Sequence, residues 1–269
     1  MKRILFIVAL IATACCQKAV QTAGTRAEAL DDSSWECSEW ISVVDAPVVT
    51  GKVTSNDNCR AADGASWFVS EPVNAKKVVG AKWMTAGLGV YYLYVNGRPI
   101  GKEVLKPGFT HFAKTKRSFT YDVTDAFDTK AGAVNQLAVQ STPGWWGDKI
   151  VTRNGSEGMM GRKCAFRGVL ELKYDDGTSE LLGTDTEAWK AGIAGPVTHA
   201  AIFDGEEYDA RILPGYETPE QLGRPEVNEE FSGEILPSAG AEIYHREDLA
   251  LKPVQAYVWQ DVEGAAEGE

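Results

Sequence analysis

Two short stretches carry residue types that could hold a ligand. The first, Phe203-Asp204-Gly205-Glu206-Glu207-Tyr208-Asp209-Ala210-Arg211, is the most acidic compact motif in the chain. Its carboxylates are hard oxygen donors, suited to sugar hydroxyls or to a Ca²⁺ ion. The structural alternative is a loop locked by Asp209 or Glu206 pairing with Arg211. The second is Ser141 to Asp148 (STPGWWGD), with Trp145 and Trp146 adjacent and Asp148 beside them. An exposed indole covers the apolar C–H face of a sugar while a neighbouring acid takes its hydroxyls. The alternative puts a tryptophan in the core, so one of the two rings is expected outside, not both.

Other chemistries find little support. His111, His199 and His245 lie far apart, none with a companion at metal-ligand spacing, and each reads as an exposed strand or loop residue. Cys15-Cys16 is not a metal pair, because it falls in the leader described below. No G-x-S-x-G, H-E-x-x-H, P-loop or C-x-x-C site motif occurs. Glycoside hydrolysis needs two facing carboxylates, roughly 5 Å apart for retention and about 6.5–9.5 Å for inversion. With 38 Asp and Glu residues, composition alone selects no pair; Asp148, Asp204, Glu206 and Asp209 are the candidates.

The chain that must position these residues has 269 residues and a net charge of −11. That charge repels a phosphate backbone, which argues against nucleic acid as a partner. The 27 glycines and 11 prolines, with 8 Trp, 9 Tyr and 9 Phe, favour an all-β chain rich in turns. Lys82 to Val123 is its clearest part. Val90 to Val95 (VYYLYV) runs into Asn96-Gly97, a dipeptide that tolerates positive φ and marks a hairpin. The strand resumes as RPIGKEVL, Pro107-Gly108 turns the chain again, and Ser118 to Val123 alternates. Lys76 to Ala86 and Asn135 to Gln140 read as further strands. Ala165 to Tyr174 alternates up to Asp175-Asp176-Gly177 and pairs with Ser179 to Gly183 as a second hairpin. Strand patterning is also expected from Trp35 onward, whereas Val151 to Lys163 reads as an exposed loop. Leu213 to Asn228, rich in Pro, Gly and Glu, reads as a boundary. Strands at short intervals, without a long amphipathic helix, predict an antiparallel β-sandwich of jelly-roll type.

At the start, Met1-Lys2-Arg3 precedes an apolar run from Ile4 to Ala14. The run is shorter than the ~20 residues a spanning helix needs, and it fits an export signal. A-T-A-C-C resembles a bacterial lipobox with Cys15 as the lipidated residue, although Ala12 stands where a larger aliphatic is usual. The alternative is an ordinary signal cut nearby. Residues 16–34 read as a flexible tether. Cys37 and Cys59 are a candidate disulfide, closing a loop worth about 3 kcal/mol on the chain-entropy model. Cys164 reads as a small buried hydrophobe.

The segment GVYYLYVNGRPIG…VLKPGFTHFAKTKRSFTYDVTDAF is similar to the N-terminal β-sandwich region of bacterial α-L-rhamnosidases, glycoside hydrolase family 78. So are RGVLELKYDDGTSELLGTDTEAWKAG, IFDGEEYDAR (against a Y-x-G-E-x-Y-D-A-R signature) and Trp40-Ile41. The resemblance covers Trp35 to Arg211, and LKPVQAYVWQDV resembles the start of the next β-domain. It implies one sandwich over residues 35–215, then a linker and the first strands of an incomplete domain over 216–269. In that family the acid and base glutamates lie in a later (α/α)₆ barrel, which this sequence is expected not to reach, so no catalytic residue is carried over. Some relatives have a calcium-dependent rhamnose-binding module with an Asp-Asn pair just before the VYYLYVNG equivalent. Leu88 and Gly89 stand there, so no cofactor is expected and Ca²⁺ is disfavoured.

The resulting expectation is a non-catalytic accessory region of an exported α-L-rhamnosidase-like protein of the bacterial cell envelope, touching the membrane only through a lipid anchor. Its partners would be a rhamnose-containing glycan or a rhamnosidase catalytic domain. The candidate sugar contacts are Trp145, Trp146, Asp148, Asp204, Glu206, Tyr208 and Asp209. Two other classes stand beside it: a glycosidase in its own right, and an interaction module without sugar affinity.

Overall fold

In the computed structural model of the chain, residues 22–44, 64–111, 113–148, 161, 163–202, 205–240 and 242–246 are described. The leader with Cys15, Cys59, Asp204, most of the 151–163 segment and the AYVWQDV run lie outside them.

The chain folds into two packed antiparallel sheets, as the alternation and turn signals predict. The strands are β1 (Thr25–Arg26), β2 (Ile41–Ser42), β3 (Ala65–Ser70), β4 (Val78–Leu88), β5 (Val90–Val95) and β6 (Arg98–Ile100). β7 (Glu103–Val104), β8 (Thr115–Asp122), β9 (Leu137–Thr142), β10 (Ala165–Tyr174), β11 (Ser179–Gly183) and β12 (Trp189–Ala194) follow. The last are β13 (Val197–Ala201), β14 (Gly205–Tyr208), β15 (Glu226–Val227), β16 (Glu234–Pro237) and β17 (Ile243–Tyr244). The larger sheet runs β1-β8-β4-β10-β2-β15, with β11 also on β10 and β16 on β8; the smaller runs β12-β3-β9-β5-β6. Separate two-stranded pairs are β13-β14 and β17-β7.

Both sequence-marked hairpins form. Asn96 and Gly97 take φ of 50° and 73°, and the turn sets Leu93 opposite Ile100. β10 and β11 close around Gly177 at φ 83°. The register puts Tyr91, Leu93 and Val95 inward, where they join Phe68, Trp83, Tyr121, Phe166 and Leu170 in the core between the sheets. Tyr92 and Tyr94 consequently face the other way.

β4 does not alternate: from Trp83 to Leu88 every residue is buried. The reason is a second apolar layer on its outer face, where Met84, Ala86 and Leu88 pack with Trp35, Trp40, Trp146 and Phe231. A third layer covers the smaller sheet, built from Trp67, Val69, Ala138, Val197 and Leu222.

Three boundaries differ from the sequence expectation. Within residues 16–34, read as a tether, Ala23 is buried and its N–H donates to the Pro99 carbonyl at 2.8 Å, while Thr25 and Arg26 pair with Asp122 and Tyr121. Two paired residues leave no periodic signal, yet they cover an otherwise open edge of β8. The strand expected from Trp35 begins instead as a 3-10 helix, Asp32–Cys37, and only Ile41–Ser42 is extended. Within 216–269, read as a following domain, β15 pairs with β2, β16 runs parallel to β8, and β17 pairs with β7. Residues up to 246 therefore complete the same sandwich. Such late strands find partners far away in sequence, so no local turn announces them.

Cys164 is buried, as read, and burial pushes its thiol up to about 11. Cys37 is exposed, and its free thiol donates to the Ser34 carbonyl; its candidate partner Cys59 lies outside the described residues.

Candidate functional site

The tryptophan pair is inside. Trp146 is 2% exposed, its indole N–H donates to the Lys163 carbonyl at 3.0 Å, and the Lys116 ammonium sits 4.0 Å from its ring centroid. Trp145 is half-buried against the same apolar layer. Asp148 is 3% exposed and accepts from the Ile202 N–H. The expectation of one exposed ring beside a free acid is thus corrected. Gly144–Gly147 forms a single helical turn that points both indoles back at the sheet, and Asp148 ties that turn to the β13–β14 hairpin.

The acidic motif divides. Asp209 takes the structural role: Arg211 donates to it through Nε at 2.8 Å and through Nη2 at 2.6 Å, in a bidentate ion pair. That pair holds the Asp209 carboxyl below the usual range. Glu206 and Tyr208 lie on β14 and are exposed, Tyr208 at 61%. Asp204 lies outside the described residues.

Glu206 and Tyr208 form one wall of a groove whose floor the sequence did not announce. Val90, Tyr92 and Tyr94 project from the outer face of β5, and Gln140 and Thr142 from β9 beside them, because Tyr92 pairs with Gln140 and Val90 with Thr142. The groove they line with Val197, Glu206 and Tyr208 has a volume of about 290 Å³. It continues past Leu105 and Gly144 into a second compartment of about 250 Å³. Tyr94 donates to Gln140 Oε1 at 3.4 Å, and its ring stands 5.2 Å from that of Tyr216 and 5.7 Å from that of Trp67. Half of this sheet face is therefore closed by aromatic packing and the other half is open.

Electrostatics keep the tyrosines as neutral donors. Burial, followed by the neighbouring Tyr216, Tyr92 and Tyr208, pushes Tyr94 up to about 12. Tyr92 is also raised, first by burial and then by the Glu206 carboxylate, against a backbone hydrogen bond at Leu105. The groove thus offers phenol donors, an amide and a carboxylate acceptor over exposed rings. The clue available in sequence was Tyr92-Leu93-Tyr94, whose outward members follow from the inward assignment of Tyr91 and Leu93.

His199, expected outside, is 6% exposed on β13, and its Nδ1 has no hydrogen-bond partner among the described residues. Among those residues no group of three or more His, Cys, Asp or Glu is placed to hold a metal. Leu88 is fully buried, and Gly89 takes φ 117°, where a Cβ would lie 2.5 Å from the Thr142 carbonyl oxygen. Neither position offers a side-chain oxygen.

A second polar cluster is structural. Glu103 and Lys106, at 4% and 2% exposure, are buried beside Tyr121. Tyr121 Oη donates to Glu103 at 2.8 Å, Lys106 Nζ donates to Tyr121 Oη at 3.2 Å, and Arg26 Nε stands 3.6 Å from Glu103. Burial lowers Lys106 to about 8, and Arg26 adds to this, while Glu103 opposes it. In the unfolded chain a lysine titrates near 10.4, so the folded state gives up this proton first. The cost of keeping Lys106 charged is full below pH 8 and is relieved as pH rises toward 10. Lys116, lowered by burial to about 7, acts in the same direction. Above about pH 10 the sign reverses, since Tyr121 and Tyr91 are raised by burial and ionise first in the unfolded chain. The melting temperature is therefore expected to climb between pH 7 and 9.5, and less so in Lys106→Met. A flat or falling profile in differential scanning calorimetry would contradict this.

This arrangement defines a class: a two-sheet antiparallel β-sandwich with an open tyrosine-lined groove on one outer sheet face. The alpha-L-rhamnosidase N-terminal domain family matches residues 76–231, more than half of the sequence, and the chain belongs to that family. An alpha-L-rhamnosidase of Streptomyces avermitilis is 38% identical over 141 residues, covering 51% of this chain and 12% of that protein. One from Formosa agariphila is 28% identical over 253 residues, covering 89% of this chain and 26% of that protein. The chain thus spans about a quarter or less of the length of these relatives. Among solved structures, the S. avermitilis enzyme complexed with L-rhamnose superposes with a TM-score of 0.58 at 30% identity, over 65% of this chain and 17% of that one. The Aspergillus terreus enzyme, at 23% identity and a TM-score of 0.63 over 76% of this chain and 23% of that one, shares the fold.

Proposed function

We propose that this chain is the non-catalytic accessory region of an exported, lipid-anchored α-L-rhamnosidase-like protein, and that its tyrosine groove recognises rhamnose-containing glycans. The observation that carries this is the open pairing of Tyr92 and Tyr208 rings with Glu206 and Gln140 in one groove. A sugar presents an apolar face for the rings and hydroxyls for the amide and carboxylate. L-rhamnose is a 6-deoxy sugar, and its methyl group suits the apolar Val90 and Val197 side of the same groove. The S. avermitilis α-L-rhamnosidase was solved as a complex with L-rhamnose, which supports the choice of sugar. The non-catalytic assignment rests on the family resemblance, in which the acid and base glutamates belong to an (α/α)₆ barrel and not to the β-sandwich. Export and the anchor at Cys15 rest on the leader sequence alone.

Tyr208→Ala and Tyr92→Ala test the groove. Each ring contact is worth about 0.5–1.5 kcal/mol, so each change should weaken affinity for rhamnose-containing oligosaccharides by roughly 2–10-fold. Tyr208 is exposed, so its variant should melt within about 2 °C of the parent. Unchanged affinity in both variants would remove the groove as the site.

A further inference from the structure

We propose a second ligand site, independent of the tyrosine groove, that takes an anionic sugar through Arg117. It lies on the far side of the Leu105–Pro107 turn, in a recess of about 150 Å³ lined by Glu103, Lys106, Phe109, Arg117, Phe119 and Glu242, among others. That volume equals roughly five waters, room for one small charged group with part of a ring.

One of the charges that line it has no partner. Lining the recess are the carboxylates of Glu103 and Glu242 and the cations of Lys106 and Arg117. Arg26 reaches both acids, at 3.6 Å to Glu103 and 3.4 Å to Glu242. Lys106 is held by Tyr121 Oη and lies 4.9 Å from that ring's centroid. Ser238 completes Glu242 with a 2.6 Å hydrogen bond. Every charge there is thus engaged within the network except that of Arg117. Arg117 is half-buried, and its side chain makes no hydrogen bond or ion pair among the described residues.

A half-buried cation without a counter-charge is unexpected on a chain of net charge −11, where acids to pair with it are abundant. Arginine presents a planar fork that matches a carboxylate or sulfate in bidentate fashion. Arg117 lines both this recess and the adjoining one formed with Phe109, Thr110, His111 and Leu236, so an anion held there can carry a ring into either. Phe109, 63% exposed, supplies an aromatic wall for that ring. Carboxylate and sulfate share this chemistry, and the ligand class is a uronic acid or sulfated sugar rather than a free inorganic ion.

The test is calorimetric titration of the whole chain with D-glucuronate, D-glucose 6-sulfate, D-glucose and inorganic sulfate. Saturable binding of at least one sugar acid is expected, weakened by salt, and stronger than that of glucose or inorganic sulfate. Arg117→Gln should lose at least tenfold in affinity, Arg117→Lys should retain part of it, and Tyr208→Ala should leave it unchanged. Circular dichroism of the variants confirms the fold. No binding, equal binding by Arg117→Gln, equal binding of glucose, or inorganic sulfate binding as tightly as the sugar acids would overturn the proposal. Because Tyr208→Ala reads the groove separately, failure of either site is visible by itself.

Discussion

Replacing Trp146 with alanine is expected to destabilise the sandwich by about 3–5 kcal/mol, the range for removing a fully buried large aromatic side chain. The indole belongs to the outer layer on the larger sheet, together with Met84, Leu88, Trp40 and Phe231. It also packs closely against Gly161, where a Cβ would come within 1.8 Å of the ring. Two further losses follow from the same change. The Lys163 carbonyl loses its donor, and the Lys116 ammonium, fully buried and 4.0 Å from the ring centroid, loses the π-face beneath it. At about 2–4 °C per kcal/mol for a chain of this size, the melting temperature should fall by roughly 10 °C. A shift under about 2 °C would show that Trp146 is not packed as described.

The second large effect is expected at Glu103. Glu103→Ala removes the carboxylate that accepts from Tyr121 and faces Arg26, and it leaves Lys106 buried with less compensating charge. Breaking one side of a buried charge network typically costs about 3–5 kcal/mol, most of it from the stranded partner. Two short strands far apart in sequence converge here. Arg26 lies on β1, Glu242 adjoins β17, and Tyr244 of β17 pairs with Glu103 itself. The loss should therefore loosen both β1 and β17, read as faster amide exchange at residues 23–26 and 243–244. Glu103→Gln keeps the acceptor for Tyr121 and should recover part of the stability. Equal melting temperatures for parent and Glu103→Ala would contradict the network.

The core elements were legible because their signals are local. Asn96-Gly97 and Asp176-Gly177 fix two turns, and the alternation around them fixes which side chains point inward. The late strands were illegible because β16 and β17 borrow partners more than a hundred residues away, and four or two residues carry no period. The site was half legible. Glu206 and Tyr208 stand out in the acidic motif and do line the groove, and Asp209 took the alternative role of locking Arg211. Trp145, Trp146 and Asp148 form no sugar platform, because the turn that carries them packs inward. The local pattern could not reveal that β4 is covered on both faces, and a second apolar layer needs large rings of this kind to build it. Tyr92, Tyr94 and Gln140 were missed as a group because they meet only through the β5–β9 register.

The central claim, a groove that recognises rhamnose-containing glycans without cleaving them, is tested most directly by one titration. The chain is titrated calorimetrically with L-rhamnose and rhamnose-containing oligosaccharides, with and without Ca²⁺, while the same samples are assayed for released rhamnose. Saturable binding that is insensitive to Ca²⁺, weakened by Tyr208→Ala and free of turnover is the predicted result. Turnover would contradict the non-catalytic assignment, and absence of binding would contradict the groove.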